Sequence, residues 1–295
     1  MSLGDIASYV FLAVAWGLSF LALLHVVDAF GWVGAVSFRA LVAAAALFII
    51  ARATGQDLRF RGGVLPLAIV GATTVAGQLL GLAFGLHRIG TAMTAIIVAT
   101  IPMISMLISQ IWGLERMSRA GVAGLLAGVA GVVLLVGFPD APITPDFLLG
   151  CTTAFLGAIS AAFGSNYASH HLKTANTWEV STGSFLAAGT MTLPLLLVAP
   201  VPRAPVAMDF VYLLILGCLM SGLAYMLYYR LVMRIGPTRA ISVEFGVTVV
   251  AVIAGEAVLG ERLSLLQIAG GLVIIGGCAL VLGLVPGRIS RSGAR

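Results

Sequence analysis

Two charged residues stand where charge is most costly. Arg39 and Glu244 each lie about eight residues inside a run of roughly twenty apolar residues, the length that crosses a bilayer. A charge at that depth faces a cavity or a partner. Glu244 reads two ways. It is a carboxylate that binds an amine or trades a proton with a substrate, or it is a structural acid bonded to a hydroxyl or to Arg39. Arg39 reads as a structural tie between helices. Glu115 and Glu261 follow helix ends in matching turns, so they are expected to cap the next helix start or pair with a neighbouring Arg. Glu256 lies near the end of an apolar run. None of these makes a paired-carboxylate catalytic site, and no HExxH or GxSxG pattern occurs. Cys151, Cys218 and Cys278 lack metal-ligand spacing. The pair His170–His171 has no third ligand nearby, so neither metal nor cofactor is expected.

The elements that hold these residues follow from composition. The 295 residues are 60% hydrophobic and 9% charged, with a mean hydropathy of +1.11. Soluble domains run near half apolar and a quarter charged. A soluble enzyme, a nucleic-acid binder and a disordered chain are thereby excluded. Apolar runs fall at about 5–26, 32–51, 64–86, 91–112, 119–137, 147–168, 178–199, 209–230, 237–258 and 265–285. The break at His87–Arg88 is the shortest. The first run is span-length and lacks a preceding Lys or Arg, unlike a cleaved signal peptide.

The charges encode orientation. Of the 16 basic residues, Lys173 is the single Lys. One set of alternate connections holds Arg52, Arg59, Arg61, Arg116, Arg119, Lys173, Arg230, Arg234, Arg239, Arg288, Arg291 and Arg295. The other holds Arg88, Arg203 and Arg262. The positive-inside rule then places both termini in the cytoplasm. No clustered basic face suggests nucleic acid.

The sequence also repeats. At a shift of 146, Arg88-Ile89-Gly90 falls on Arg234-Ile235-Gly236, and Glu115-Arg116-Met117-Ser118 falls on Glu261-Arg262-Leu263-Ser264. Near the start of each half, Ala15-Trp16-Gly17 matches Ala162-Phe163-Gly164 at a shift of 147. The expected organisation is a repeat over 1–137, a linker over 138–146 and a second repeat over 147–295. Five helices per repeat is an odd number, so the second copy is inverted in the membrane. The fold class is thus an all-α polytopic membrane protein of ten helices in two inverted repeats, an architecture of alternating-access transporters with a midplane site.

These residues carry a resemblance to the drug/metabolite transporter superfamily, in its ten-helix EamA-type branch. The features are Trp16-Gly17-x-Ser19-Phe20 in the first span, Arg39 in the second, Pro102 in the small-rich fourth, and the turns at Glu115 and Glu261. Within that branch the chain is most similar to YddG-type aromatic amino-acid exporters. One departure stands out. Many members carry Pro in both the fourth and ninth spans, whereas Pro102 aligns with Thr248 here, so the ninth helix is expected to lack the break.

The resemblance implies a central cavity lined by spans one, three, four, six, eight and nine. Its candidate wall is Trp16, Ser19, Phe20, Gln78, Met93, Phe163, Asn166, Tyr167, Tyr225, Tyr228, Glu244 and Phe245. Aromatic rings there can stack an aromatic or bulky apolar side chain, while amides and Ser19 hold amino and carboxylate groups. Pro102, Gly77 and Gly81 are candidate hinge or gating positions, although small residues at this spacing also serve close packing. The expected function is export of small metabolites, foremost amino acids, by a monomer in the bacterial inner membrane. The rivals are a multidrug or nucleotide-sugar-type transporter of the same fold, and a passive channel.

Overall fold

Ser2 starts the first helix as a capping box. Its hydroxyl accepts from the Asp5 N–H, and the Asp5 carboxylate accepts from the Ser2 N–H at 3.0 Å. In the computed structural model, which describes residues 2–60, 63–136, 144–259 and 265–283, the chain is helical with no strand among the described residues. The first helix, α1 (Leu3–Ala53), is 51 residues long, far more than one crossing needs. Gly31 breaks it with φ 73°, a left-handed conformation a side chain would oppose. The two arms fold back on each other. The Trp16 indole donates to the Met220 carbonyl at 3.0 Å, and Arg39 Nε donates to the adjacent Ser221 hydroxyl. A straight helix would hold Trp16 and Arg39 about 35 Å apart.

The next run is α2 (Val64–Val70), a π-helical stretch at Gly71–Gly77, and α3 (Gln78–Val98). After a turn comes α4 (Ile101–Ile111), then α5 (Arg119–Val136) and α6 (Pro145–His171). Helical assignment runs on through His87–Arg88, where a loop was expected, and the interruption comes at Ala99–Thr100. The chain reverses direction all the same. A Cβ on Gly150 would meet Arg88, yet Ser105 bonds Asn166, about four turns further along α6.

The second half follows as α7 (Thr177–Thr192) with a 3-10 turn, α8 (Ala207–Leu214), a π-helical stretch at Ile215–Leu223 and α9 (Ala224–Ile235). It ends with α10 (Pro237–Ile241), α11 (Val243–Leu259) and α12 (Leu265–Val281). Gly236, with φ 91°, turns the chain into Pro237, whose fixed φ suits a first helical position. Among the described residues, five helical runs are by themselves long and apolar enough to cross a membrane.

Packing shows the inversion directly. A Cβ on Gly124 of α5 would lie 2.7 Å from the Gly277 carbonyl of α12, and one on Gly131 would lie 2.9 Å from the Gly270 carbonyl. The 146-residue shift carries Gly124 onto Gly270 and Gly131 onto Gly277. Each glycine therefore touches the repeat image of the other, as across a two-fold axis. The paired positions run in opposite directions, so the two helices are antiparallel images. The π-helical stretches obey the same relation, since Gly71–Gly77 maps onto 217–223.

One end of the bundle, here the N-terminal face, gathers Leu3, Ala53, Val64, Thr177, Ile235 and Pro237. The far face holds the Gly31 turn, where a Cβ would come within 3.3 Å of Pro202, and the pair Arg88–Asp146.

Candidate functional site

A cavity opens among α1, α3, α9 and α11. On α1 it is lined by Trp16, Ser19, Phe20 and Leu23, the i, i+3, i+4, i+7 face of one helix. The second arm adds Val36 and Arg39. From α3 come Gln78, Leu79, Leu82 and Leu86, and on the returning chain Thr94 and Val98. Tyr225, Glu244 and Val247 complete it. The lining climbs from Trp16, Tyr225 and Glu244 toward Leu23, Val36 and Leu86, which lie near the far face. No lining residue comes from the N-terminal end.

The centre of the cavity lies on the repeat axis. At the 146-residue shift Leu79 falls on Tyr225 and Val98 falls on Glu244, and all four line it. The space is narrow, about 60 Å³ for water centres, room for about four to six waters. A larger guest requires side chains such as Phe20 and Leu82 to swing outward.

Arg39 is 4% exposed and Glu244 6%. Arg39 ties α1 to the π-helical stretch of span eight through Ser221, and it also lines the cavity. It is thus both a tie and a wall residue. Among the described residues Glu244 has no side-chain hydrogen bond, and neither residue belongs to an ion pair. Among the described residues no hydroxyl or arginine stands at its carboxylate. A buried, unpartnered carboxylate is costly, and this one faces open space. Gln78, 7% exposed, also lines the cavity. Ser19 donates to the Trp16 carbonyl at 2.7 Å and keeps its lone pairs.

Aromatic rings seal the inner end. Trp16 packs on Tyr225 and Tyr228 with ring centroids 5.1 and 5.4 Å away, and Phe185 meets Tyr225 edge-on. Replacing Trp16 with Phe keeps the ring and removes the donor to the Met220 carbonyl. The expected cost is about 1 kcal/mol, read as a lower melting temperature in detergent with the chain still folded.

Several candidate residues are placed elsewhere. Phe245 follows Glu244, about 100° around the helix, so it turns away and packs on Gly128 of α5. Phe163 and Tyr167 stack on each other, with Trp112 against Phe163 and His171 against Tyr167; this aromatic column lies outside the cavity lining. Asn166 donates to Ser105 Oγ at 2.9 Å and to the Ala162 carbonyl. Tyr228 bonds the Ser165 hydroxyl. Met93 is half-buried beside Thr94. Gly77 and Gly81 seat α3 against Ser160 and Gly157 of α6. Pro102 stands in the first turn of α4, where its missing N–H costs no helical bond.

The ninth span runs unbroken through Thr248, as expected, and is interrupted earlier, between α10 and α11 at Ser242. The Ser242 hydroxyl donates to the Arg239 carbonyl at 2.7 Å and meets the Tyr9 hydroxyl at 3.0 Å, a local bond that competes with helix. Glu115 does cap a helix, but not the next one. Its carboxylate accepts from the Thr238 N–H at 3.0 Å and from Ser109 at 3.2 Å, at the start of a helix in the other repeat. Glu261 and most of the linker lie outside the described residues. Sequence reasoning also missed Asp5 and Asp209, which pair with Arg234 at 2.9 Å and Arg203 at 2.7 Å. The signal available was an acid in the first helical turn.

Comparisons with known proteins agree with this architecture. The EamA-like transporter family matches the chain twice, over residues 4–137 and 148–283. An inner membrane transporter of Escherichia coli, YedA, is 27% identical over 75% of the chain and 69% of its own length. A probable terminal-alkyne amino-acid exporter of Streptantibioticus cattleyicolor is 28% identical over 93% of the chain and 92% of its own. A Pseudomonas aeruginosa protein is 30% identical, and the match spans 61% of its length. One crystal structure superposes with a TM-score of 0.81 at 19% identity, covering 96% of the chain and 98% of that protein, a likeness of fold.

Proposed function

The chain belongs to the EamA-like transporter family, and from that premise we propose that it exports amino acids with aromatic or large apolar side chains by alternating access. The observation that carries this reading is the polar strip on the repeat axis. Glu244 lies about 10 Å in from the N-terminal face and Arg39 about 12 Å in from the far face. A zwitterion spanning that strip sets its ammonium at Glu244 and its carboxylate at Arg39, a guanidinium suited to planar anions. Trp16 and Tyr225 stand between them to take an apolar or aromatic side chain. The narrow space disfavours bulky nucleotide-sugar cargo.

The same reading sets orientation and location. Arg52, Arg59, Lys173, Arg230, Arg234 and Arg239 all flank helix ends at the N-terminal face, whereas Arg88 and Arg203 lie at the far face. Positive-inside makes the N-terminal face cytoplasmic, in a bacterial inner membrane. A cavity lined toward the far face is then outward-facing. A carrier of this kind needs no catalytic group.

Counterflow of labelled amino acids into liposomes, with a panel of competitors, tests the proposal. Phenylalanine, tryptophan and leucine are expected to compete, and acidic amino acids are not. Absence of counterflow with every amino acid would sink the substrate assignment.

A further inference from the structure

The two repeats are not the two bodies that hold together. The first helix of each repeat is fastened to the third span of the other. At the N-terminal face Asp5 of α1 pairs with Arg234 of α9 at 2.9 Å. At the far face Asp146 of α6 pairs with Arg88 of α3 at 3.1 Å. Arg88 and Arg234 are repeat images at the 146-residue shift, and each meets an acid in the first turn of the opposite repeat's first helix.

The π-helical stretches are held the same way. The Trp16 side chain donates to the Met220 carbonyl, and the Ser160 side chain donates to the Thr73 carbonyl at 3.1 Å. Shifted by 146, Thr73 falls on Leu219, one residue from Met220. Two symmetric assemblies result. One holds α1, α8, α9 and α11 with the short α10 that links α9 to α11, joined further by Arg39–Ser221, Tyr9–Ser242 and the seat of Gly17 on Val250. The other holds α3, α4 and α6, joined further by Asn166–Ser105 and the seat of Gly81 on Gly157.

The cavity runs between these assemblies toward the far face. At the N-terminal face, a few polar contacts bridge them. Ser105 meets Thr238 at 3.5 Å, Glu115 accepts from the Thr238 N–H, and Ser165 bonds Tyr228. Tyr228 is buried in that seal, while its repeat image Leu82 lines the open cavity. One face is closed where its image is open.

We propose that Glu115, Ser105 and Ser165 latch the α3, α4 and α6 assembly to Thr238 and Tyr228 of the other at the N-terminal face, and that this latch must part before the cavity opens there. This rests on the alternating-access reading above. When the latch parts, Phe163, the repeat image of Trp16, becomes the exposed wall residue.

The test uses the full chain with its three cysteines replaced by alanine and Phe163→Cys added as a reporter. A latch pair, Ser105→Cys with Thr238→Cys, is compared with a pair inside one body, Ala13→Cys with Gly246→Cys, where a Cβ on Gly246 would lie 3.1 Å from that of Ala13, within reach of a disulfide. Each is oxidised with copper phenanthroline and probed with a maleimide from the N-terminal side. Oxidising the latch pair is expected to slow Phe163→Cys labelling at least tenfold, with dithiothreitol restoring it. Oxidising the pair inside one body should leave labelling within twofold. Unchanged labelling in the first case, failure of the latch pair to cross-link, or arrest by the second pair would each overturn the proposal. Labelling needs no substrate, so a failed counterflow assay beside the expected labelling pattern would refute amino-acid export and leave the latch standing.

Discussion

Glu244→Gln should lower amino-acid counterflow by an order of magnitude or more while the chain keeps its fold. The argument begins from the carboxylate's isolation. It is buried, it borders the cavity, and among the described residues no side chain pairs with it. Glutamine keeps the shape and one acceptor oxygen and removes the charge. A hydrogen bond to a charged group is worth about 1.5–3 kcal/mol and a neutral one about 1 kcal/mol. The difference, about 1–2 kcal/mol, is roughly tenfold in affinity. The melting temperature should hold or rise, because the substitution removes an uncompensated buried charge. The measurement is counterflow at saturating and sub-saturating substrate, repeated across pH. Undiminished transport would remove Glu244 from the substrate site. A lower rate with an unchanged pH profile would keep it as a binding group and exclude it as a proton carrier.

The second large effect is structural. Gly124→Leu should prevent assembly of the bundle, because the clash is with backbone. A Cβ at Gly124 would lie 2.7 Å from the Gly277 carbonyl and 2.8 Å from Leu280 Cβ. The two helices touch through reciprocal glycines, so pushing them apart at Gly124 also opens the contact between Gly131 and Gly270. In lipid, close packing rather than hydrophobic exclusion holds helices together, so separation forfeits the whole interface. Overpacking costs 1–3 kcal/mol or more, and the helix backbones here have nowhere to move. The expected readout is loss of monodisperse protein in detergent. Gly276→Ala on the facing helix α12 is the control. Nothing lies within 4 Å of a Cβ there, and alanine improves helix propensity by about 1 kcal/mol. Equal behaviour of the two variants would refute close packing at this seam.

Much of this was legible in the residues themselves. Composition and run length required a helical membrane protein, because hydrocarbon leaves backbone groups no partner outside the helix. An odd helix number in each repeat required inversion, and the seam of Gly124 and Gly277 displays it. Arg39 and Glu244 were found because a charge at membrane depth must face a cavity or a partner.

Facing was harder. Trp16 and Phe163 are repeat images, and sequence logic gave them one role. A structure open to one side breaks that equivalence, so Trp16 lines the cavity while Phe163 stacks on Tyr167. Phe245 shows the same limit within a single helix. Its neighbour Glu244 lines the cavity, yet the rotation of α11 sends the ring to Gly128. The partners of Asp5, Asp146 and Glu115 lie in the opposite repeat, more than fifty residues away in every case.

The sequence by itself thus determined what each helix is, how the halves are related and which charges must be accounted for. Those follow from local composition and from the cost of burying polar groups. Only the tertiary structure decided which side of each helix meets the cavity and which helices are fastened together. Those depend on the rotation of each helix about its axis, set by contacts between residues distant in the chain.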